Sequence, residues 1–384
     1  MRIAHGLCAA GLACVLTACA PEEPARTVLS GTPSAIPESA AAPRVTVTTV
    51  VDGLDHPWDV VQAPDGTLLT GERSGRFVVR RPDGRVEELR ADLPDLYAVG
   101  ETGLMGVALA LDFESSRTVY ACQGHRDPDD VRVYAWTVDP GWTTMTRQRT
   151  LVDGLPVARG GRHAGCRILA HPDGTLYIGT GDATRPAAPQ DPAGLGGKVL
   201  HLNPDGSPAP GNPDPRSVVF TLGHRNVQGL ALQPGTGRLY SVEQGSSRDD
   251  EVNLLVPGGN YGWRPDREPG TYDESVPMTD PDRVPGAIPA VWSSGSPTIA
   301  TPGLAFAAGP AWGPWSGALV VSSQQDEKLL LLRLSEDGRS VTESTELLEG
   351  EYGRLRSLTP LPDGSLLVTT DNGSDDKILQ VAPG

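Results

Sequence analysis

Two short segments place histidine beside arginine among glycines, a pattern that suits a catalytic loop. One runs from Gly160 to Arg167 and reads GGRHAGCR; the other runs from Leu222 to Gly229 and reads LGHRNVQG. Glycine lets the backbone approach a ligand closely. Histidine can act as a general base near neutral pH, and a neighbouring arginine can stabilise developing negative charge. A loop histidine is more often structural, so these spacings alone leave both interpretations open.

Other sequence patterns argue against several kinds of chemistry. The seven histidines form no HxH or HxxxH pair and no cluster with cysteine, which argues against a zinc site. The chain has no Gly-x-Ser-x-Gly motif, no Walker loop and no dinucleotide-binding glycine loop after a strand. A nicotinamide or nucleotide cofactor is therefore not expected.

The composition predicts a folded, acidic protein. The 384 residues include 48 acidic and 32 basic side chains, a formal net charge of −16, and 38% of residues are hydrophobic. Phosphate binding needs clustered lysine and arginine, so this balance argues against a nucleic-acid partner and against docking by charge on an anionic membrane. It fits a neutral small substrate or a bound cation.

The elements that must position the two loops read as short strands joined by tight turns. After residue 46 no segment shows a convincing helical period, whereas Pro-Asp-Gly recurs at 64–66, 82–84, 172–174, 204–206 and 362–364. Proline fixes φ, aspartate bonds its own backbone and glycine takes a positive φ, which together suit a turn.

A longer strand–turn–strand module repeats around these turns. Clear copies occupy residues 58–72, 168–182 and 357–371, and degenerate copies occupy 106–124, 229–245 and 303–325. Six copies predict an all-β, six-bladed β-propeller with four-stranded antiparallel blades. Five or seven blades also fit so weak a repeat, and a β-sandwich fits it less well. Ligands of propellers usually bind at the mouth of the central channel.

The N-terminus indicates export. Residues 6–20 form an apolar run too short for a membrane span, and residues 1–18 read as a signal peptide. The ending LTAC resembles a bacterial lipobox, which would make Cys19 the lipidated N-terminus; the alternative is an ordinary signal with a coincidental cysteine. Residues 19–45 read as a flexible tether and residues 46–384 as the propeller domain.

Cysteine usage fits the same compartment. Cys8, Cys14 and Cys19 lie in the signal region, which leaves Cys122 and Cys166 in the remaining chain. Two such cysteines in an exported protein most simply form one disulfide, and two free buried thiols are the alternative.

Longer motifs make the chain resemble the soluble sugar dehydrogenases that depend on pyrroloquinoline quinone (PQQ), the glucose/sorbosone dehydrogenase family. The motifs are PWDVVQAPDG, GETGLMGVALALDF, RHAGCRILAHPDGTLYIGTGD, LGGKVLHLNPDG, LGHRNVQGLAL, EQGSSRDDEVNLLVPGGNYGW and GRLRSLTPLPDGSLLVTTDNG. The resemblance covers roughly residues 46–383 and is nearest to the aldose dehydrogenase branch. It implies a six-bladed propeller with PQQ at the channel mouth.

The resemblance assigns roles to residues of both glycine-rich loops. His163 matches the general base that takes the proton of the sugar C1 hydroxyl while hydride moves to the quinone. Arg225 matches the arginine beside the reactive quinone carbonyl, with Asn226 as its neighbour in the cofactor motif. Arg354 and Arg356 match an arginine pair that binds PQQ carboxylates.

The resemblance also implies calcium. Gly245 and Ser246 match two backbone carbonyl ligands of a calcium ion that polarises PQQ, and Glu251 and Tyr261 match ligands of a second, structural calcium. Oxygen donors on a glycine-rich loop suit this hard cation. The charge run 249–251 could otherwise belong to a solvated turn.

Four positions depart from the family pattern. Glu101 stands where relatives carry a cofactor-contacting Gln, Arg162 replaces an Asp before the base, Ser246 replaces a Pro, and Gln325 replaces a PQQ-contacting Lys. These departures argue against glucose specificity and bear on the strength of PQQ binding.

The sequence therefore predicts an extracytoplasmic lipoprotein that oxidises the anomeric carbon of an aldose to a lactone. PQQ and Ca²⁺ are the expected cofactors, a sugar and an external electron acceptor are the expected partners, and the membrane is contacted only through the lipid. Two alternatives remain. One is a metal-dependent lactonase propeller, for which no converging ligand set is evident, and the other is a propeller that only binds carbohydrate or protein.

Overall fold

The computed structural model describes residues 41–384, and nearly all regular structure in this range is β-strand. The only helical elements in this range are α1 (Phe113–Ser116) and two 3₁₀ turns, Ala188–Gln190 and Pro310–Trp315. None of the helices described is long and apolar enough to cross a membrane. The predicted signal peptide and Cys19 lie outside the described residues.

Twenty-four strands make up this part of the chain. They are β1 (Val45–Leu54), β2 (Pro57–Gln62), β3 (Leu68–Glu72), β4 (Arg76–Arg80), β5 (Val86–Ala91), β6 (Leu104–Leu109), β7 (Thr118–His125), β8 (Asp130–Val138), β9 (Thr144–Leu155), β10 (Gly165–Ala170), β11 (Leu176–Thr180), β12 (Lys198–Leu202), β13 (Val219–Leu222), β14 (Val227–Leu232), β15 (Leu239–Glu243), β16 (Glu251–Leu254), β17 (Trp292–Ser293), β18 (Leu304–Phe306), β19 (Leu319–Ser322), β20 (Leu329–Leu334), β21 (Val341–Leu347), β22 (Leu355–Pro360), β23 (Leu366–Thr370) and β24 (Asp376–Pro383).

The strands form four-stranded antiparallel units. Four separate sheets have the orders β1-β24-β23-β22, β10-β11-β12-β13, β14-β15-β16-β17 and β18-β19-β20-β21. A fifth sheet of eight strands joins β2–β5 to β6–β9 through two parallel pairs, Arg90 with Thr144 and Ala91 with Met145. Apart from that junction its strands are antiparallel. The predicted all-β architecture is confirmed, and the sheets are consistent with a propeller.

The first described strand completes the last sheet. β1 pairs with β24 from Val45 opposite Pro383 to Leu54 opposite Asp376. Because the first and last of the described strands share one sheet, β1 holds the C-terminal strands in place.

The Pro-Asp-Gly segments form turns of the expected kind. In all five, the aspartate Oδ1 accepts a hydrogen bond from the backbone N–H two residues later. Every glycine of the five has a positive φ, between 83° and 95°. The turns at 64–66, 172–174 and 362–364 join the first and second strands of their units.

Glycine recurs in the degenerate modules because neighbouring units approach closely there. A Cβ on Gly106 of β6 would lie 2.4 Å from the carbonyl oxygen of Cys166 in β10. A Cβ on Gly303 would likewise lie 2.2 Å from the Arg356 carbonyl oxygen, and one on Gly229 would lie 3.1 Å from the Leu304 nitrogen and 2.5 Å from the Val242 side chain of its own sheet. These contacts pack the first strands of successive units side by side.

The first strands surround a cavity of about 460 Å³. Its wall takes an aliphatic side chain from each of six first strands: Val60, Val107, Ile168, Leu230, Leu304 and Leu358. Arg167 forms a buried ion pair with Asp59, donates from Nε to the Gln228 carbonyl at 2.8 Å and lies 4.6 Å from the ring of Trp58. These contacts connect the units across the centre of the molecule.

A disulfide joins two of the first four-stranded units. Cys122 of β7 and Cys166 of β10 are bonded, with their Cα atoms 6.2 Å apart, and both residues are buried. Cys166 follows His163 by three residues, so the bond anchors the end of the glycine-rich loop.

We expect Gly106→Ala to lower the free energy of unfolding by about 1–3 kcal/mol, because the new methyl group would overlap the Cys166 carbonyl. Urea unfolding measures the change. Gly71→Ala is the control, since its Cβ would meet only side-chain atoms at 3.4 Å or beyond. Equal stability of the two variants would contradict the close packing of β6 on β10.

Candidate active site

The site residues predicted from the sequence collect at one end of the first strands. Glu101 precedes β6, His163 precedes β10, Arg225 precedes β14, and Arg356 lies at the start of β22. Direct hydrogen bonds link the Glu101 loop to the loops that carry His163 and Arg225. The cavity described above lies toward the opposite ends of the same strands.

His163 is held in a defined orientation. Its Nδ1 donates to Oδ1 of Asp182 at 2.8 Å, and its backbone N–H donates to Oε2 of Glu101 at 3.1 Å. Its φ is +53°, in the left-handed region. Nε2 has no hydrogen-bond partner among the described residues, so the neutral ring keeps a free acceptor nitrogen.

The Asp182 carboxylate accepts hydrogen bonds at both oxygens, and it holds the His163 tautomer that carries its proton on Nδ1. Oδ1 also accepts the Thr184 N–H at 2.8 Å, and Oδ2 accepts Trp263 Nε1 at 2.8 Å and the Tyr272 hydroxyl at 2.6 Å. Burial, followed by the nearby Asp182 charge, raises the pKa of Tyr272 well above its usual range, so the phenol stays a donor. An orienting carboxylate on Nδ1 is what a histidine base requires.

Glu101 joins the loops that carry His163 and Asn226. Its Oε2 accepts both the His163 N–H and the Asn226 side-chain amide, the latter at 3.3 Å. Asn226 Oδ1 in turn accepts the Gly165 N–H at 2.9 Å. The carboxylate performs an acceptor role that a glutamine oxygen could also fill.

The loop at Gly161 lies directly on the loop at Val99. A Cβ on Gly161 would lie 1.7 Å from the Val99 carbonyl oxygen, and Gly161 has a φ of +79°. Only glycine fits both conditions. This contact sets the distance between Glu101 and His163.

Arg225 is buried beside Glu243. Its backbone N–H donates to Glu243 Oε2 at 2.6 Å, and Nη1 donates to the Gln244 carbonyl at 2.8 Å. Its Nε is buried without a hydrogen-bond partner. A buried donor left in this way is costly unless a ligand or water satisfies it.

His224 differs from His163 in having both ring nitrogens engaged. Nδ1 bonds Glu243 at 2.7 Å and Nε2 bonds the Thr221 hydroxyl at 2.9 Å, and the ring stacks on Tyr261. The side chain is fully buried. His224 is therefore a structural residue.

The predicted arginine pair divides into a buried and an exposed member. Arg356 Nη1 donates to Oδ2 of Asp371 at 2.8 Å, and its Nε and Nη2 are buried without partners. Arg354 is exposed, with Nη1 3.4 Å from the Gln324 carbonyl. Arg73, which the sequence did not single out, lies 4.0 Å from Asp371.

Gly245 and Ser246 lie in a loop shaped by Asp250. Asp250 is buried, and its carboxylate accepts the Gly245 N–H, the Thr298 hydroxyl and two further backbone N–H groups. The possibility of a solvated turn is therefore wrong for Asp250. The carbonyl oxygens of Gly245 and Ser246 accept no hydrogen bond from the described residues, so both are free to bind a cation.

Glu251 and the Tyr261 carbonyl converge on one point. The Thr279 hydroxyl oxygen lies 2.9 and 3.1 Å from the Glu251 carboxylate oxygens and 3.2 Å from the Tyr261 carbonyl. Burial, with Glu243 nearby, raises the pKa of Glu251 well above its usual range. No arginine or lysine among the described residues pairs with it, so a cation would fit this position.

Gln325 and Arg162 are the two remaining positions that depart from the family pattern. Gln325 is exposed, and its neighbour Gln324 bonds Asp371 at 2.5 Å. Arg162 is half-exposed and pairs with Glu274 at 2.6 Å. Neither Gln325 nor Arg162 is hydrogen-bonded to His163 or Arg225.

One group of potential metal ligands occurs elsewhere in the described chain. His56, Asp371 and Asp376 place ligand atoms within 4.8 Å of one another. Asp376, however, accepts the N–H groups of His56, Asn372 and Gly373 and the Thr370 hydroxyl, so its oxygens are occupied. This cluster gives a lactonase no support.

The sequence analysis missed Asp182, Trp263, Tyr272 and Glu274. Asp182 had a visible signal, because it ends the module copy 168–182 as Asp371 ends the copy 357–371. Tyr272 and Glu274 lie in residues 264–291, which contain no strand and no module. Nothing in their local pattern connects them with a histidine more than a hundred residues away.

An all-β chain with an oriented histidine and buried arginines at one end of its first strands is consistent with an enzyme site on a propeller-like fold. The chain belongs to the Glucose / Sorbosone dehydrogenase family, whose model matches residues 54–380. The family assignment made from the sequence is thereby confirmed.

Individual relatives agree with this family. An aldose sugar dehydrogenase of Escherichia coli K12 is 30% identical over 356 residues, which cover 90% of this chain and 94% of the relative. The PQQ-bound aldose sugar dehydrogenase of Streptomyces coelicolor is 34% identical, with a TM-score of 0.75 over 89% of this chain and 99% of that one. Quinoprotein glucose dehydrogenase B of Acinetobacter calcoaceticus is 31% identical over 56% of this chain and 51% of its own length.

The site also predicts a pH dependence of stability. Burial alone would raise the pKa of Asp371, but the charges of Arg356 and Arg73 and the His56 hydrogen bond hold it well below 3.8. The native state then binds fewer protons than the unfolded state below about pH 4, so the stabilisation by Asp371 is complete above that pH and is lost as the pH falls.

We expect Asp371→Asn to reduce the loss of stability between about pH 6 and about pH 3. Urea unfolding at both pH values measures it. Asp129→Asn serves as the control, because Asp129 is exposed and makes no ion pair within residues 41–384. An unchanged pH dependence in Asp371→Asn would contradict the assigned ion pairs.

Proposed function

We propose that this protein is a PQQ- and calcium-dependent aldose dehydrogenase that oxidises the anomeric carbon to a lactone and passes electrons to an external acceptor. One observation carries the proposal. Of the two histidines in the glycine-rich loops, His163 alone combines a carboxylate-held Nδ1 with a free Nε2. That is the arrangement of a general base.

The fold proposed is a six-bladed propeller in which the eight-stranded sheet counts as two blades. Its junction consists of only two residue pairs, and each half repeats the four-stranded pattern of the other sheets. Six first strands contribute equivalent aliphatic residues to one cavity. Six units around a shared axis account for both observations.

The buried donors of the site fit an anionic cofactor. Nε of Arg225 and both Nε and Nη2 of Arg356 have no hydrogen-bond partners among residues 41–384, and a molecule with several carboxylates would satisfy them. Arg354 offers a further guanidinium at the rim. When bound, PQQ supplies a quinone that accepts the two electrons removed from the sugar.

His163 and Asp182 supply the proton transfer. Nε2 of His163 accepts the proton of the anomeric hydroxyl as the C1 hydride leaves, which converts the sugar to its lactone. Asp182 keeps the Nδ1 proton in place and stabilises the imidazolium that forms. The hydrogen bonds from Trp263 and Tyr272 prevent the carboxylate from turning away.

Arg225 supplies a fixed positive charge near the same point. Its backbone is held by Glu243 and its guanidinium by the Gln244 carbonyl, so little reorganisation is needed when negative charge develops. Asn226 and Glu101 hold the base loop at a constant distance from this cation.

Calcium is proposed at two places. The free carbonyls of Gly245 and Ser246 would hold the ion that acts with the cofactor. Glu251 and the Tyr261 carbonyl would hold the structural ion, which would neutralise a buried carboxylate that lacks a basic partner.

Export and lipid attachment at Cys19 complete the proposal. The apolar run, the LTAC ending and the Cys122–Cys166 disulfide support it. In β1, Val45 lies opposite Pro383 at the strand ends away from His163.

The direct test is reconstitution of purified protein with PQQ and Ca²⁺, followed by an aldose panel and a dye acceptor. We expect dye reduction with at least one aldose, and His163→Gln should lower turnover by about 100-fold or more. His224→Gln is the matched comparison and should change cofactor affinity more than turnover. Normal turnover in a PQQ-bound His163→Gln variant would remove His163 as the base.

The two calcium sites can be separated by chelation. Removing calcium should abolish turnover and lower the melting temperature, because an ion at 100 times its Kd contributes about 2.7 kcal/mol of stability. Glu251→Gln should lose the calcium-dependent stability while its turnover still requires calcium. Full turnover after thorough chelation would exclude the metal from the reaction.

A further inference from the structure

Residues 264–291, here called the crossing segment, connect Trp263 to β17 and bring two side chains to the site. The segment contains no strand. The Tyr272 hydroxyl donates a hydrogen bond to Asp182, as described. The Glu274 carboxylate pairs with Arg162, which precedes His163 in sequence, and also lies near Arg225. The hydrogen bond to Asp182 gives Tyr272 a role in the site, but the proposed mechanism gives Glu274 no role.

Glu274 is fixed from three directions. Its Oε1 accepts Nη2 of Arg162 at 2.6 Å and lies 3.9 Å from Nη2 of Arg225. Its backbone carbonyl accepts the Ser246 hydroxyl. An ordinary exposed ion pair orders little, but this carboxylate is tied to a buried arginine and to the Gly245–Ser246 loop.

The Glu274–Arg162 pair keeps unused hydrogen-bonding capacity. Oε2 of Glu274 accepts no hydrogen bond from the described residues, and Nη2 is the only Arg162 side-chain nitrogen that donates to them. Their side chains are 41% and 53% exposed, so both are accessible to a ligand. Arg162 directly precedes the base.

These groups match the outer hydroxyls of a sugar. A carboxylate oxygen accepts a hydroxyl proton and a guanidinium N–H donates to a hydroxyl oxygen, so a fixed pair can bind two neighbouring hydroxyls at once. Because Arg162 adjoins His163 in the chain, an aldose whose C1 hydroxyl met His163 Nε2 would have further hydroxyls available to this pair. A site built to bond a hydroxyl discriminates strongly against an analogue that lacks it.

We infer that Glu274 is a specificity-determining residue that binds a sugar hydroxyl through Oε2, with Arg162 as its partner. The inference rests on the proposed function, because it concerns the same substrate.

The first test is kinetic. Glu274→Gln should raise KM for the preferred aldose about 10-fold or more, the loss expected for a hydrogen bond to a charged group, while kcat changes much less. Glu268→Gln is the matched control, since Glu268 lies exposed on the same segment and forms no ion pair in the described structure. It should behave as wild type. PQQ affinity, followed by absorbance, should be similar in all three proteins.

The second test uses deoxy sugars in a double-mutant cycle. If Oε2 bonds one hydroxyl, the deoxy sugar lacking that hydroxyl should lose binding with wild type but lose little more with Glu274→Gln. Additive losses for every deoxy sugar would overturn the inference, because Glu274 would then touch none of the hydroxyls.

A binding measurement keeps this inference separate from the proposed function. Saturation-transfer NMR can follow aldose binding to wild type, Glu274→Gln and Glu268→Gln without any turnover. Weaker binding only in Glu274→Gln supports the inference even if reconstitution gives no dehydrogenase activity. Equal binding in the three proteins overturns it, whatever the outcome of the activity assay.

Discussion

The site depends on carboxylates that end, or directly follow, the second strand of a unit and hold the loop entering a first strand. Glu72 accepts the Asp55 N–H, Asp182 holds His163, Glu243 holds His224 and the Arg225 N–H, and Asp371 holds His56. All four carboxylates are buried. A buried carboxylate must be fully bonded, so each one fixes the loop opposite it. The loops that carry the site residues are therefore held in place by carboxylates at the ends of the sheets.

The same arrangement gives two different histidines. Asp182 and Glu243 each accept a hydrogen bond from Nδ1 of a loop histidine at nearly the same distance, 2.8 and 2.7 Å. The difference lies at the far nitrogen: the Thr221 hydroxyl bonds Nε2 of His224, whereas Nε2 of His163 bonds none of residues 41–384. Under the proposed function, this free nitrogen distinguishes the base from the structural histidine.

Much of this could be predicted from the sequence because the relevant signals are local. The Pro-Asp-Gly turns, the repeated module and the glycine-rich loops each lie within a short stretch, and the cysteine pair followed from simple counting. The crossing segment could not be predicted, because Tyr272 and Glu274 act through partners 90 or more residues away in sequence. The sequence left a solvated turn open for Asp250 for a related reason: its backbone partners Ile299 and Ala300 lie on another loop, and their N–H groups make it a buried anchor.

The distribution of arginine bears on how an acidic protein would hold the anionic cofactor proposed above. Arg356 and Arg73 share the carboxylate Asp371 as an ion-pair partner, and Arg162 and Arg225 share the carboxylate Glu274. The Glu101 charge also acts on Arg73 and Arg162. The chain as a whole carries −16, so the field outside the site repels anions and the attraction must come from these local groups. A ligand with several carboxylates would balance both pairs at once, whereas a neutral sugar alone would balance neither. Under the proposed function, Arg356, Arg73 and Arg225 would therefore serve the cofactor, and sugar recognition would fall to Arg162 and the free oxygen of Glu274.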